Sequence, residues 1–276
     1  MNLPKIHSIT KKLFVALVGS FLLLFLLFHM TANLFILRHD DGQWYSDFCH
    51  FMGTNWVVKI FEIVLLGVIA LHILLTVWLA ITNRLARPTR YHQRSKSKTH
   101  PGSKLMIWTG VLILACIAIH FYDFYFVKIG VVKGEYMVKV ENLSKLDAQA
   151  MEDEAVSDVL YRAFNEGNIS EDGKWIRHIN YEERTILKER APESDPEPDF
   201  YYMTREKFSH LHIVIGYLVF FLILFFHLMH AFPSVFQTLG LNNYKYNPII
   251  EALGKIYTWI IVLGFTAVPI LVYLGL

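Results

Sequence analysis

Cysteine is scarce in this chain: Cys49 and Cys116 are the only two among 276 residues. No CxxC or CxxCH occurs, so neither a structural zinc site nor covalently attached c-type haem has its signature here. Cys49 lies in a connecting loop and Cys116 inside an apolar run, and no disulfide is expected between them. Charge is thin as well. Charged residues make up 18% of the chain against 54% hydrophobic, and mean hydropathy is +0.36. That balance is too apolar for an ordinary soluble domain, and no nucleic-acid partner is expected. Acid is missing altogether from two stretches: residues 1–12, which carry Lys5, Lys11 and Lys12, and residues 83–104, which carry Arg84, Arg87, Arg90, Arg94, Lys96, Lys98 and Lys104.

Long apolar runs are present instead. Five are long enough to cross about 30 Å of hydrocarbon at roughly 20 residues each. They cover about 13–37, 56–82, 105–127, 211–236 and 252–276. The first is longer than the apolar core of a secretory leader and has no small-residue cleavage site after it, so it is expected to remain as a span. The expected fold is all-α, a polytopic membrane bundle of five helices. The acid-free basic stretches flank two consecutive spans and so share a side, which the positive-inside rule makes the cytoplasm. The connection 38–55, with Asp40, Asp41 and Asp47, then falls outside, and the N-terminus is cytoplasmic in a bacterial inner membrane.

One segment departs from a bare bundle. Residues 128–208 form a polar insertion holding 18 of the 24 acidic and 12 of the 26 basic residues. The domain reading is therefore helices I–III over 1–127, an extracytoplasmic insertion over 128–208, and helices IV–V over 209–276. Within the insertion, Leu143, Leu146, Met151, Val156, Leu160 and Phe164 have helical spacing across 141–168. APESDPEPD at 191–199 reads as an extended acidic linker. No chemistry is evident in the insertion, and a small cap or docking surface is the expected role.

The chemistry is in the spans. His29, His72, His120 and His227 lie one in each of four apolar runs. An imidazole at membrane depth is costly and marks a partner or a cofactor. With a rise of 1.5 Å per residue, His29 and His120 lie about 24 and 22 Å from the inner ends of their spans, and His72 and His227 about 15 and 14 Å. The four fall into two layers, His29 with His120 toward the outside and His72 with His227 toward the cytoplasm. Two stacked bis-histidine haems need four such ligands. Gly19, Gly67, Gly110 and Gly216 lie on the same four spans, where the lack of a side chain admits a flat macrocycle or another helix.

Other readings of the same residues are weaker. A di-iron desaturase needs histidine boxes clustered at one membrane face. Here His210-x-His212 and His227-x-x-His230 lie at opposite ends of one span. A proton-coupled transporter needs carboxylates near the midplane, whereas Glu62, Asp123 and Glu251 lie toward helix ends. A non-haem structural anchor remains open.

The chain resembles the single-chain, five-span diheme cytochrome b anchor of succinate dehydrogenase and fumarate reductase. The resemblance rests on SITKKLFVALVG at 8–19 leading into HMTANLF at 29–35, and on HFMGTNWVVKIFEIVLLGVIALH at 50–72. IHFYD at 119–123 and HLMHAFPSVFQTLGL at 227–241 complete it. It covers all five spans; the long insertion departs from the compact members. It implies an electron-transfer subunit that binds two b haems and carries electrons between quinone, menaquinone in particular, and an iron–sulfur subunit. A flavoprotein subunit would do the dicarboxylate chemistry, so this chain would not hold that active site. His72 and His227 would serve the proximal haem, His29 and His120 the distal one. The following SVFQTLG favours His227 over His230. Phe225 stands where some fumarate reductases carry a carboxylate, which argues against a compensating proton path on that helix. A diheme subunit of a hydrogenase or formate dehydrogenase is the alternative, with its soluble partner outside.

Lys11, Lys12, Arg84 and Arg94 on the inner side are candidates for the haem propionates, though each also suits a headgroup anchor. Near the outer layer, Glu62, Asp123, Tyr45 and His50 are candidates for quinone and proton handling, with Asp47 and Tyr122 close in sequence.

Overall fold

The computed structural model of the chain describes residues 8–86, 101–241 and 243–276. Its helices are α1 (Ser8–Leu34), α2 (Gln43–Thr54), α3 (Trp56–Leu85), α4 (Pro101–His120), α5 (Phe126–Lys128), α6 (Val140–Leu143), α7 (Ala148–Glu152), α8 (Glu154–Asn165), α9 (Tyr181–Arg190), α10 (Phe200–Phe208), α11 (Leu211–Thr238) and α12 (Asn247–Tyr273). Three strands, β1 (Tyr136–Lys139), β2 (Trp175–Ile179) and β3 (Glu197–Pro198), lie among them.

Five helical stretches are long and apolar enough to span a membrane: Lys12–Leu37, Trp56–Leu85, Leu105–Lys128, Leu211–Thr238 and Asn247–Tyr273. They match the five expected runs, and the chain is a multi-pass helical membrane protein. The fifth helix starts at Asn247, earlier than its apolar run, because the polar first turn NPIIE is also helical with Pro248 inside it. The third span ends in a π-helical turn, Phe121–Tyr125, directly after His120.

The chain divides into two compact units. One takes its described residues from Met1–Leu34, Trp56–Ala115 and Ile215–Val268. In it α1 runs alongside α3. Leu23, Met30, Phe221, Leu224, Leu228, Val235 and Ile261 form its core. Close approach is concentrated at small residues: a Cβ on Gly264 would lie 2.3 Å from Met30 Sδ, so α12 meets α1 there only because position 264 is glycine. α3 has no buried residue along its length. One side of it, including Leu65, Leu66, Ile69 and Ile73, is half-covered, and Phe61 meets Phe21 of α1 at 5.5 Å, while the rest of its apolar surface is exposed.

The other unit comprises Phe35–Asn55, Cys116–Val214 and Pro269–Leu276. Its sheet has strand order β2-β1-β3, both pairs antiparallel, with Tyr136 opposite Ile179 on one side and Pro198 on the other. Tyr136, Val138, Val156, Ala163, Ile176, Ile179 and Leu187 form a core between sheet and helices. The expected helical pattern across 141–168 appears as three short helices, with Val156 and Leu160 buried but Met151 and Phe164 exposed.

The expected linker at 191–199 is overturned. Glu197 and Pro198 pair with β1, while Ala191, Ser194 and Asp199 are fully buried. Proline in a two-residue edge strand costs no inner hydrogen bond, which is why a Pro- and acid-rich stretch can still be packed. Asp199 caps α10 by accepting from the Tyr202 N–H, and it accepts from Arg177 Nη1 at 3.0 Å. Arg177 Nη2 donates to the Asp41 carbonyl and Ser46 Oγ, joining the first connection to the insertion. Removing one member of such a buried pair strands the other and costs about 3–5 kcal/mol. Arg177→Ala should therefore lower the melting temperature of the detergent-solubilised protein by several degrees, whereas Arg177→Met with Asp199→Leu should recover most of the loss; equal losses in both would show that the ion pair is not what holds this corner.

Candidate functional site

The inner layer of histidines can be followed within the first unit. A Cβ on Gly19 of α1 would lie 4.0 Å from His72 Cε1, and one on Gly110 of α4 would lie 3.7 Å from His227 Cε1. His72 is thus level with Gly19, and His29 lies ten residues, about 15 Å, further along α1. On α4, His120 lies the same ten residues beyond Gly110. The glycines anticipated beside each ligand on its own helix in fact face a histidine on a neighbouring helix at positions 19 and 110; Gly67 and Gly216 face open space.

Ring nitrogens show how these two imidazoles are set. The Thr109 hydroxyl donates to the backbone carbonyls of Leu105 and Met106, at 3.2 and 3.0 Å, and lies 3.1 Å from His227 Nδ1. The hydroxyl can accept from Nδ1–H or donate to a bare Nδ1, and in the first case Nε2 is left as the lone pair that a metal-binding histidine offers. His72 Nδ1 is buried with no hydrogen-bond partner among the described residues. An orphaned buried nitrogen costs about 1–3 kcal/mol. His72 and His230 both lie near enough to interact electrostatically with His227. Two imidazoles on different spans, each beside a glycine of a further helix, are of the residue type that a bis-histidine haem needs at this level. Thr109 and Gly110 both address His227.

The outer histidines are set differently. Asn33 Nδ2 donates to the His29 carbonyl at 2.8 Å and lies 3.3 Å from His29 Nδ1. The amide thus lies beside both the backbone carbonyl and the ring of His29. The ring stacks on Phe25 and leans on Phe265, with centroids at 5.3 and 5.7 Å. In the second unit, His120 ends α4 with Phe124 5.1 Å away, across the π-helical turn.

The proton candidates separate on inspection. Glu62 is half-buried on α3. Asp123 is ion-paired to Lys207 at 2.6 Å. Tyr45 is buried against Cys49; burial raises its phenol well above the usual value, and burial also pushes the Cys49 thiol up to about 12. A phenol held in its neutral form keeps its O–H as a hydrogen-bond donor. Both cysteines are free. Lys12 and Arg84 are exposed near the ends of their helices, while the Lys11 side chain and Arg94 lie outside the described residues. Among the described residues no group of three or more His, Cys, Asp or Glu is placed to hold a metal, a requirement that a two-histidine haem does not have.

His50 brings the insertion into the chemistry, which the sequence did not suggest. Its Nδ1 lies 3.0 Å from Glu197 Oε1, and its ring meets Trp175 edge-on at 5.4 Å. Asp47 accepts from Trp175 Nε1 at 3.3 Å. Burial, then Asp195, raises the Glu197 carboxyl to about 8. Burial, then Lys139, lowers His50 from 6.5. Both shifts favour the neutral pair, a carboxyl donating to an imidazole. Sequence could not signal Glu197, Lys207 or Thr109, because each acts through a partner distant in the chain.

Comparison with protein-family models, with curated proteins and with solved structures finds no match.

Glu197 carries a testable pH dependence. Its folded value lies above its ordinary value of 4.5, so the stability it contributes is present at low pH and lost as pH rises toward and through about 8. His50, lowered from 6.5, acts in the opposite sense and has given its full contribution once pH exceeds that value. Thermal stability should therefore decline between about pH 6.5, where His50 no longer offsets it, and about 8, and level off above that, and Glu197→Gln should flatten the decline. An unchanged slope in melting temperature against pH would rule out Glu197 as its source.

Proposed function

We propose that this chain is the membrane anchor and electron-transfer subunit of a succinate:quinone oxidoreductase, binding two b haems. His72 and His227 would hold the inner haem, and His29 and His120 the outer one. Haem would supply one-electron carriers between an iron–sulfur subunit and quinone. The observation that carries the reading is the inner layer: two imidazoles on different spans, each against a glycine of a third and a fourth helix, with His227 Nδ1 held by Thr109 and His72 Nδ1 left without a partner.

The remainder of the reading follows from charge and geometry. By the positive-inside rule the acid-free basic stretches favour a cytoplasmic N-terminus and 83–104 connection, in what would be a bacterial inner membrane. There the iron–sulfur and flavoprotein subunits would dock, beside the inner haem. Lys12 and Arg84, exposed at that side, would meet propionates or lipid headgroups. Quinone, with menaquinone as the family resemblance implies, would react at the outer layer, since two haems in series are needed only if the acceptor lies at the far end. Glu62 would exchange its protons there, along with Asp123 and the His50–Glu197 pair.

Purified protein should contain two low-spin b haems per chain by pyridine haemochrome. His72→Ala or His227→Ala should each abolish the same one of two spectral components, while His230→Ala leaves both. A haem count of zero or one ends the proposal; loss of haem in His230→Ala alone moves the fourth-span ligand by three residues. Glu62→Gln should lower quinone-linked turnover at least tenfold and leave haem content unchanged. Normal turnover in Glu62→Gln would move the quinone site elsewhere.

A further inference from the structure

A groove of about 630 Å³ opens in the second unit between the end of the third span, the loop before β1, α10 and the start of α11. Its polar lining is Asp123, Lys133, Glu135, Glu206, Lys207 and His210. Asp123 sits on the π-helical turn, three residues after His120. A π-turn rotates the residues after it relative to an α-helix, and such turns recur at functional sites. Here the carboxylate meets Lys207 of α10 at 2.6 Å, with side chains 11% and 26% exposed. Glu206 and His210 are exposed, and Glu135 is half-buried. The groove therefore runs from open solvent to a largely buried ion pair. At about 30 Å³ per water, a space of this size holds roughly 20 waters.

Resting on the function proposed above, we infer that this groove is the route by which protons reach and leave the outer end of the bundle, with Glu135 and Glu206 as its proton-holding carboxylates and Lys207 as the residue that positions Asp123 at its inner end. Reduction of a quinone to a quinol takes up two protons with two electrons, and quinol oxidation releases both; an apolar span end gives them no path. The groove supplies one, built largely from the insertion. Glu135 is suited to hold a proton. Burial and then Glu206 raise its carboxyl above the usual range, with Glu183 of α9 and Asp199 adding to the rise and Arg162 of α8 opposing it. Asp123, Lys133, Lys207 and His210 are the other charged or titratable groups in the same space.

The test uses the purified complex. Glu135→Gln with Glu206→Gln should lower quinone-linked turnover about tenfold while both haem components persist in the spectrum. Redox-difference infrared spectra should show a protonated-carboxyl band in the wild type that is lost in Glu135→Gln. Glu206 is exposed, so Glu206→Gln folds whatever the double variant does. It removes the negative neighbour of Glu135 and should move the pH profile of turnover, and the midpoint of the infrared band, to lower pH. Two haems with an unmoved pH profile in Glu206→Gln and an unchanged band in Glu135→Gln overturn this proton route and leave the electron-transfer reading intact. A wild-type protein without haem overturns both.

Discussion

A neutral imidazole carries one donor and one acceptor, and hydrocarbon supplies a partner for neither. Each histidine in a span must therefore be answered by another helix, by its own helix or by a ligand. The first two are seen here. Thr109 answers His227 from a neighbouring helix, Asn33 answers His29 from one turn along the same helix, and Nδ1 of His72 has no answer among the described residues. A group bound through Nε2 of His72 would leave that Nδ1 still to be answered, so the orphaned nitrogen marks a polar demand at this level of the bundle.

Spacing between helices depends on the same constraint. The first unit has a dense core where α1, α11 and α12 meet at Met30, Phe221 and Ile261. α3 buries none of its residues although it carries one of the four histidines. Packing energy in a membrane comes from close contact rather than from expulsion of water. α3 makes its contacts along α1 without any residue being enclosed on every side. At the level of His72 the glycine of α1 lies beside Val235 and the imidazole, and on α4 Gly110 lies beside the His227 ring, so each glycine admits a neighbouring helix closely.

What could be read from the chain and what could not divides along range of interaction. The spans were legible because 20 or more apolar residues in a row have one low-energy fate in a bilayer. How far along its span each of the four histidines lies was legible because helical rise converts sequence position to distance along the axis. The insertion was misread at 191–199, where proline and acid look solvent-facing until Glu197 finds His50 and Asp199 finds Arg177. Those partners lie 147 and 22 residues away, and no local rule connects them. The Asn33 contact with the His29 ring was equally hidden, although the two lie one turn apart on the same helix.

The insertion has a core of its own, with Tyr136, Ile176, Ile179 and Leu187 fully buried. That core takes in Val127 and Phe124 from the end of the third span, and polar ties to membrane-flanking segments add to it. Those ties are specific: Arg177 to the Asp41 carbonyl and Ser46, Trp175 to Asp47, Glu197 to His50, and Lys207 to Asp123. Surface ion pairs would contribute little to stability and could be lost without consequence. These are largely buried, and three of the four carry a carboxylate opposite a donor. A domain that served only as a cover could meet the same segments through apolar contacts, at lower desolvation cost. Choosing titratable partners instead places groups that can exchange protons where the third span and the first connection leave the membrane, which is the property a redox subunit handling quinone would need at that end.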